Sequence, residues 1–333
     1  MATTFKTLNS ANDVTSTRTL LHEAIPLTGT IASGTYTDEN IKTYSHGMFE
    51  SVYDYPYLSS SANHIFDITT GYASDSSLSG AAGGVQNSKK LNIYSQMAQV
   101  LVGYDATGSI QNFDQDGDIA GGGTKIKEPL FVNFSRLLTK DEMKKGSFSM
   151  SFLTGGTSAA RTHLMTVADH GAATSYKVNS PAGEYGILYT GSEALAGTGV
   201  GLIYYQAGVA VLTGSVFESA SMGPGVTVAT GYSAIATGST IDVMANCYRN
   251  RLHNISFNNT VELNSTVYFC RASHNEFNYS NNPTYLSESQ IRVKNSTTDN
   301  PVSYVTTVGL YSSDNELLAV AKLSEPLKKD PTT

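Results

Sequence analysis

The sequence predicts an α+β fold dominated by antiparallel β-sheets in a sandwich-like arrangement, with a few amphipathic helices and extended arms at both termini. Residues 147–153 alternate between apolar and polar, with Phe148, Met150 and Phe152 on one face, which is typical of a half-buried strand. Few segments show the 3.6-residue apolar period of a helix. Near the C-terminus, two β-prone runs flank the polar residues 312–315, which is the pattern of a hairpin with a short loop.

Three segments are predicted to be amphipathic helices, because each places apolar residues on one face. The first begins near Asp38, whose charge favours the helix dipole, and ends before Pro56. The second spans 89–102 and ends at Gly103, and the third spans about 240–252. The apolar faces consist of Ile41, Tyr44, Met48 and Val52 in the first, Tyr94, Met97, Ala98 and Leu101 in the second, and Ile241, Met244, Ala245, Tyr248 and Leu252 in the third.

Strands are predicted for most of the chain after residue 125. A helical turn interrupts them at 139–146, because Thr139 and Glu142 match a capping box. The predicted strands are 147–153, 176–178, 185–190, 201–205, 209–212, 261–270, 290–294 and the two arms of the C-terminal hairpin. These elements divide the chain into an N-terminal arm and helical region (1–124), a β-rich domain (125–238), and a C-terminal helix with a β-ribbon attachment region (239–333).

The composition is poor in charge. Only 15% of the residues are Asp, Glu, Lys or Arg, against about 25% in a typical soluble domain. A neutral surface rich in Ser, Thr, Asn and Gly suits permanent assembly, although a secreted β protein has the same composition. The net charge is −7, and basic residues form no cluster larger than a pair. Because nucleic-acid binding needs a basic stripe, no nucleic-acid partner is expected.

The sequence also bears on location. The first residues contain no basic start followed by an apolar run, so no signal peptide is expected. The apolar stretch 200–212 is interrupted by Gln206 and is too short to span a bilayer, so no membrane association is expected. A chain made in the cytoplasm should keep Cys247 and Cys270 as reduced thiols, with a disulfide between them as the alternative.

One acidic turn has the residue types of a metal site. Asp114, Asp116 and Asp118 place carboxylates at alternate positions around a glycine, as a hard cation such as Ca²⁺ requires. The EF-hand pattern fails, because Ile119 stands where the loop needs glycine and Lys125 stands where it needs a bidentate glutamate. The sequence therefore leaves a structural Ca²⁺ site and a plain acidic turn both open, and it predicts no other cofactor.

No motif indicates catalysis. The seven histidines are scattered, and His22-Glu23 is followed by a proline that would break an HExxH helix. Neither a GxSxG elbow nor a Walker loop is present. The glycine-rich run 197–201 precedes a strand and not a helix, so it does not match a phosphate-binding loop. The chain is predicted not to be an enzyme.

The aromatic residues indicate contact surfaces instead. The chain has 20 tyrosines and no tryptophan, and tyrosine suits interfaces that stay partly hydrated. Two tyrosine-rich clusters lie in segments rich in proline and asparagine. The residues predicted to make subunit contacts are Tyr53, Tyr55 and Tyr57 in the first cluster and Phe277, Tyr279 and Tyr285 in the second. Ordinary core packing is the alternative for each of them.

The C-terminal hairpin carries a resemblance to known proteins. The run VGLYSSDNELLAVAKL resembles the ribbon of the attachment domain in phage tail-collar fibre proteins. The runs FESVYDYPYLSSSANHIFDIT, YYQAGVAVL and EFNYSNNPTYL resemble virion structural proteins of T4-like contractile-tailed phages of the marine, cyanophage type. The contact residues that the resemblance implies in the ribbon are Val308, Leu310, Tyr311, Leu317 and Leu318.

The resemblance implies a structural component of a tailed-phage virion, assembled in the cytoplasm of the host bacterium. The chain would contact its own copies and other virion proteins, in the tail or baseplate region, as an assembly or fibre-anchoring adaptor. The ribbon of fibre proteins precedes a long shaft, whereas no shaft follows residue 323 here, so the chain is not expected to be a fibre. One alternative is a neck, collar or capsid-surface decoration protein. Another is a host-glycan-binding or depolymerase module, against which the absence of tryptophan argues.

Overall fold

The computed structural model describes residues 5–27, 38–81, 83–119, 121–156, 161–190, 199–217, 232–274, 276–277, 283–287, 290–291 and 302–330. Within these ranges strands prevail over helices, and neighbouring strands pair antiparallel. The prediction of a β-rich α+β fold is therefore confirmed.

The elements are numbered in chain order. The helices are α1 (Asn87–Leu101), α2 (Arg136–Thr139), α3 (Ala172–Ser175), α4 (Tyr232–Gly238) and α5 (Ile241–Arg251). The strands are β1 (Val14–Leu27), β2 (Ile41–Thr43), β3 (Glu50–Tyr53), β4 (His64–Thr70), β5 (Phe113–Asp114), β6 (Lys125–Ile126), β7 (Pro129–Phe134), β8 (Glu142–Met143), β9 (Ser149–Gly156), β10 (Arg161–Ala168), β11 (Tyr185–Thr190), β12 (Gly201–Tyr204), β13 (Val209–Thr213), β14 (Leu252–Tyr268), β15 (Leu286–Ser287), β16 (Gln290–Ile291), β17 (Ser303–Tyr311) and β18 (Leu317–Lys329). Single 3-10 turns lie at Asp38–Asn40, Gly214–Phe217 and Pro283–Tyr285.

The chain forms two compact units. The smaller unit combines Met1–Arg18 with Asn264–Thr333, and the larger unit is Thr19–Leu263. The boundaries fall within β1 and within β14. The division at residues 124 and 238 stays a prediction.

One large antiparallel sheet organises the larger unit. Its strand order is β1-β14-β9-β10-β11-β12-β13-β7-β4-β3-β2, with β8 beside β14. The sheet folds back on itself, because Phe134 of β7 packs against Phe148 at 5.9 Å and against Phe257 of β14 at 5.4 Å between ring centroids. The buried aromatic residues between the two halves form the sandwich-like core.

Helix α1 covers the opposite face of the same sheet. Tyr94 contacts Phe113 at 5.6 Å, and Phe113 contacts Phe131 of β7 at 5.7 Å between ring centroids. Both faces of β7 are therefore buried, since Leu130 and Val132 lie in the first core and Phe131 lies in the second. A strand buried on both faces reads as a continuous apolar run and not as an alternating one.

Gly71 allows α1 to lie close to the end of β4. A Cβ atom at Gly71 would lie 2.5 Å from the carbonyl oxygen of Lys90 and 3.0 Å from the amide nitrogen of Tyr94. Both are backbone atoms of the helix, so the helix would have to move. We expect Gly71→Ala to lower the free energy of unfolding by about 1–3 kcal/mol, measured by urea denaturation. Gly80→Ala is the matched control, because no atom lies within 4 Å of its added Cβ; an equal loss in both variants would contradict the explanation.

Several predicted elements are confirmed. Helix α1 ends at Leu101 with Gly103 in the left-handed region at φ 90, and α5 lies where the third helix was predicted. The strand predicted at 185–190 is β11 itself, and β12 and β13 match within one residue. The run that alternates at 147–153 overlaps β9, and its residues Phe148, Met150 and Phe152 are buried.

Two helical predictions are wrong, because strand pairing prevails over local propensity. The helix predicted after Asp38 is a 3-10 turn followed by the β2–β3 hairpin, in which Ile41 pairs with Val52. In the predicted turn at 139–146, Thr139 ends α2 and Glu142 pairs with Thr260 of β14. The strand predicted at 176–178 is also wrong, since only an isolated bridge joins Lys177 to Tyr185.

Candidate assembly surfaces

Within the residues that the structure describes, the two strands of the C-terminal ribbon pair only with each other. β17 pairs with β18 from Ser303↔Lys329 at the base to Tyr311↔Leu317 at the tip. The polar loop is closed locally, since the Ser312 hydroxyl accepts the N–H groups of Asp314 and Glu316 at 3.2 Å each. Asn315 takes the left-handed conformation that such a turn requires. The predicted hairpin and its loop are confirmed.

The base of the ribbon is held by a buried lysine. The Lys329 ammonium donates to the carbonyl oxygens of Ser273 and His274 at 3.2 Å and of Glu276 at 2.8 Å. Glu276 also forms an ion pair with Lys6 at 2.7 Å. The ribbon is thus fixed where it begins.

Apolar side chains are exposed beside the polar loop of the ribbon. Leu317 is 52%, Leu318 63% and Val320 59% exposed. Leu317 and Tyr311 lie over Gly309, where a Cβ atom would come within 3.0 Å of the tyrosine ring. We call Tyr311, Leu317, Leu318 and Val320 the ribbon surface.

The two faces of the ribbon differ in their contacts. Phe5 packs edge-on against Tyr311, with ring centroids 5.0 Å apart. Val308 and Leu310, which the resemblance also placed in the contact, are half-buried and pair with Ala321 and Ala319. Because successive side chains of a strand point to opposite faces, they lie on the face opposite Gly309 and Tyr311.

The first tyrosine cluster lies in an ordered loop, residues 54–63, between β3 and β4. The Asp54 carboxylate accepts the Asn63 backbone N–H at 2.6 Å and its side-chain amide at 2.9 Å. The Tyr57 N–H donates to the carbonyl oxygen of Glu39 at 2.9 Å. These bonds close the neck of the loop and fix one side of it, so its side chains are presented from an ordered backbone.

The loop presents apolar side chains to solvent. Tyr55 and Tyr57 are exposed, whereas Tyr53 is half-buried and packs against His64, with ring centroids 5.5 Å apart. Leu58, at 85% exposed, projects most. Sequence analysis missed Leu58, although a leucine directly after Pro56-Tyr57 and before three serines was a usable signal. We call Tyr55, Tyr57 and Leu58 the tyrosine-loop surface.

A polar network lies beside the tyrosine loop. Asp67 Oδ1 accepts the Ser51 hydroxyl at 2.5 Å and lies 2.8 Å from His64 Nε2. The hydrogen bond to the carboxylate raises the pKa of His64. The serine donates to the carboxylate and not to the imidazole, which is not the order of a catalytic triad. That the chain is not an enzyme stays a prediction.

The second aromatic cluster is described only in part. Phe277 is exposed and has a positive φ of 52. Tyr285 ends the 3-10 turn Pro283–Tyr285, and Tyr279 lies outside the described residues. The contact role of this cluster stays a prediction.

The acidic turn is organised around a lysine. The Lys125 ammonium lies 2.7 Å from Asp114 Oδ2 and donates to the carbonyl oxygens of Asp118 at 3.0 Å and Ile119 at 3.2 Å. The other oxygen of Asp114 accepts the N–H groups of Asp116 and Asp118. Within the described ranges, no group of three or more His, Cys, Asp or Glu side chains is placed to hold a metal ion. This geometry favours the plain acidic turn, and calcium binding stays a prediction.

The cysteines are both free thiols. Cys247 is buried and Cys270 is exposed. Burial raises the pKa of Cys247 to about 11, which keeps this thiol protonated and unreactive at neutral pH.

Comparison with known proteins adds no relative: no protein-family model, no curated protein and no solved structure matches this chain. In the part of the chain that the structure describes, no helix is both long and apolar enough to cross a membrane.

Proposed function

We propose that the chain is a structural component of a tailed-bacteriophage virion, acting in the tail or baseplate region as an assembly or fibre-anchoring adaptor. The observation that carries the proposal is the C-terminal ribbon, which is held at Lys329 and exposes Leu317, Leu318 and Val320 at its tip. The ribbon is also the segment that resembles the attachment ribbon of tail-collar fibre proteins. The proposed role of the chain is mechanical, and this role requires no catalytic group.

The exposure of the ribbon surface is the physical reason for a contact role. An isolated two-stranded ribbon is only marginally stable in water, because it lacks a third strand or a covering layer. Burying one exposed leucine or valine side chain stabilises by about 1.5–3 kcal/mol. A neighbouring protein that covers the ribbon surface would therefore stabilise the ribbon and the assembly together.

The tyrosine-loop surface gives the chain a second contact. It belongs to the larger unit, whereas the ribbon surface belongs to the smaller one. Its backbone is already ordered by Asp54 and Asn63, so little conformational entropy is lost on binding. An adaptor that joins neighbours needs at least two such surfaces. The low charge of the chain fits permanent contacts with other virion proteins and with its own copies.

Gold labelling of purified particles from the source lysate, with an antibody against this chain, tests the proposal. Label at the tail end is the expected result. Label at the neck or head would keep a virion role but overturn the tail and baseplate location. Absence of the chain from particles by mass spectrometry would overturn the virion role and favour a host-glycan-binding or depolymerase module.

A further inference from the structure

The two strands of the C-terminal ribbon have edges of different character. β17, Ser303–Tyr311, contains neither a charged residue nor a proline. β18 carries Lys322, Glu325, Pro326 and Lys328. Charged side chains and proline on an edge strand oppose pairing with a further strand. The edge of β17 is therefore open to pairing, and the edge of β18 is protected.

The backbone geometry strengthens this difference. Between the pairs Val305↔Leu327 and Thr307↔Lys322, one residue lies on β17, whereas residues 323–326 lie on β18. Extra residues bend the strand that contains them, so the irregularity lies in β18. Within the described part of the chain, β17 pairs with β18 alone. Its outer backbone N–H and C=O groups form a template for one more strand.

We propose that β17 pairs in antiparallel fashion with β17 of a second copy of this chain, around a two-fold axis at Thr307. The two ribbons then form one four-stranded sheet in the order β18-β17-β17-β18. Such an isologous contact closes on itself, because both copies use the same surface. Main-chain hydrogen bonds supply the attraction, as in other cases of strand addition.

The side chains of β17 are self-complementary in this register. Full overlap of the antiparallel segments 303–311 places Thr307 opposite Thr307 of the other copy, and threonine pairs are favourable across strands. It also places Tyr304, which is exposed, opposite Leu310. An aromatic residue opposite an aliphatic one is again a favourable cross-strand pair.

The charge distribution selects the antiparallel direction. Asp314 and Glu316 lie at the tip of the ribbon, whereas at its base Lys328 is paired with Asp330, with 3.2 Å between Nζ and Oδ2. Antiparallel pairing places the acidic tip of one copy beside the charge-balanced base of the other. Parallel pairing would bring two acidic tips together. The repulsion between the acidic tips thus disfavours parallel pairing of β17.

This inference rests on the proposed function, in which the ribbon is a contact element, and it names the partner of one ribbon edge.

The inference is tested by sedimentation equilibrium of the purified full chain over a concentration series. We expect a reversible dimer for the wild type. Thr307→Glu should weaken dimerisation about tenfold, because two glutamates then face each other on the axis. Within each ribbon the new glutamate faces Lys322, so the ribbon itself is kept. Thr307→Gln is the matched uncharged control and should dimerise like the wild type.

Exchanging the charges at residues 307 and 322 tests whether residue 307 faces its own counterpart at the two-fold axis. The double variant Thr307→Lys with Lys322→Glu also keeps opposite charges within the ribbon and puts two lysines on the axis. Alone it should be monomeric, and mixed with Thr307→Glu it should form a heterodimer. A monomeric wild type, or a dimer that Thr307→Glu does not weaken, would overturn the inference. Neither result affects the proposed function, which depends on labelling of particles and on the ribbon surface.

Discussion

Replacing Leu317 and Val320 by threonine is expected to remove the chain from assembled particles while leaving its fold intact. Threonine is favoured in strands, so the ribbon should form. The substitution removes apolar side chains that are 52% and 59% exposed and therefore contribute little to the folded chain alone. If a neighbouring protein buries Leu317 and Val320, the double substitution should lower the free energy of binding to that neighbour by about 3 kcal/mol, which is about a hundredfold in affinity.

The measurement is the amount of chain per particle after complementation with the variant. Leu137→Thr together with Val178→Thr is the matched control, because these residues are 80% and 69% exposed and lie outside the ribbon. The control should assemble normally. Equal incorporation of the ribbon variant and the control would contradict the contact role of the ribbon surface. Circular dichroism and urea denaturation of the two purified proteins show whether either variant has lost its fold.

Helices and strands that are determined by residues close in sequence could be predicted. Helix α1 follows from its apolar period and from Gly103, and the ribbon follows from two β-prone runs around a turn. The β2–β3 hairpin could not be predicted, because the same apolar residues also fit a helical face. Only the pairing of β3 with β4 decides between the two.

Some residues of the two exposed surfaces could be predicted from their type, whereas others could not. Tyr55 and Tyr57 are exposed as expected, because tyrosine in a proline-containing loop rarely enters a core. Phe5 and Val320 were missed, because their position depends on which residue faces Tyr311 and Gly309 across the ribbon. Register and exposure are set by long-range contacts that a local pattern does not contain.

Asp169 is a buried carboxylate whose contacts could not be predicted from residues near it in sequence. Asp169, only 1% exposed, follows β10 and connects segments that are distant in sequence. One carboxylate oxygen accepts the N–H of Phe148 at 2.9 Å. The other accepts the N–H of Gly146 at 2.7 Å and the hydroxyl of Tyr205 at 2.8 Å. The carboxylate therefore ties the turn before β9 to the end of β12.

Asp169→Ala is expected to lower the free energy of unfolding by about 3–5 kcal/mol, because it leaves three donors, two of them buried, without an acceptor. Tyr205→Phe is the graded control. It removes one of the three donors and leaves the other two bonded, so it should cost about 1–2 kcal/mol. Urea denaturation at pH 7 measures both. Equal losses in the two variants would show that the backbone hydrogen bonds of Asp169 contribute nothing.

The effect of Asp169→Ala should also depend on pH, with a sign that the burial of the group determines. Burial disfavours the charged form and raises the pKa of Asp169 from 3.8 to about 6. Between pH 3.8 and about 6, the folded chain binds more protons at Asp169 than the unfolded chain does. Asp169 therefore stabilises the fold most below pH 4, and its contribution to the free energy of unfolding falls as the pH rises through 6. The stability difference between wild type and Asp169→Ala should therefore be greater at pH 4.5 than at pH 7, by at most about 3 kcal/mol. A difference that grows towards pH 7 would mean that the three hydrogen bonds outweigh the cost of burying the charge.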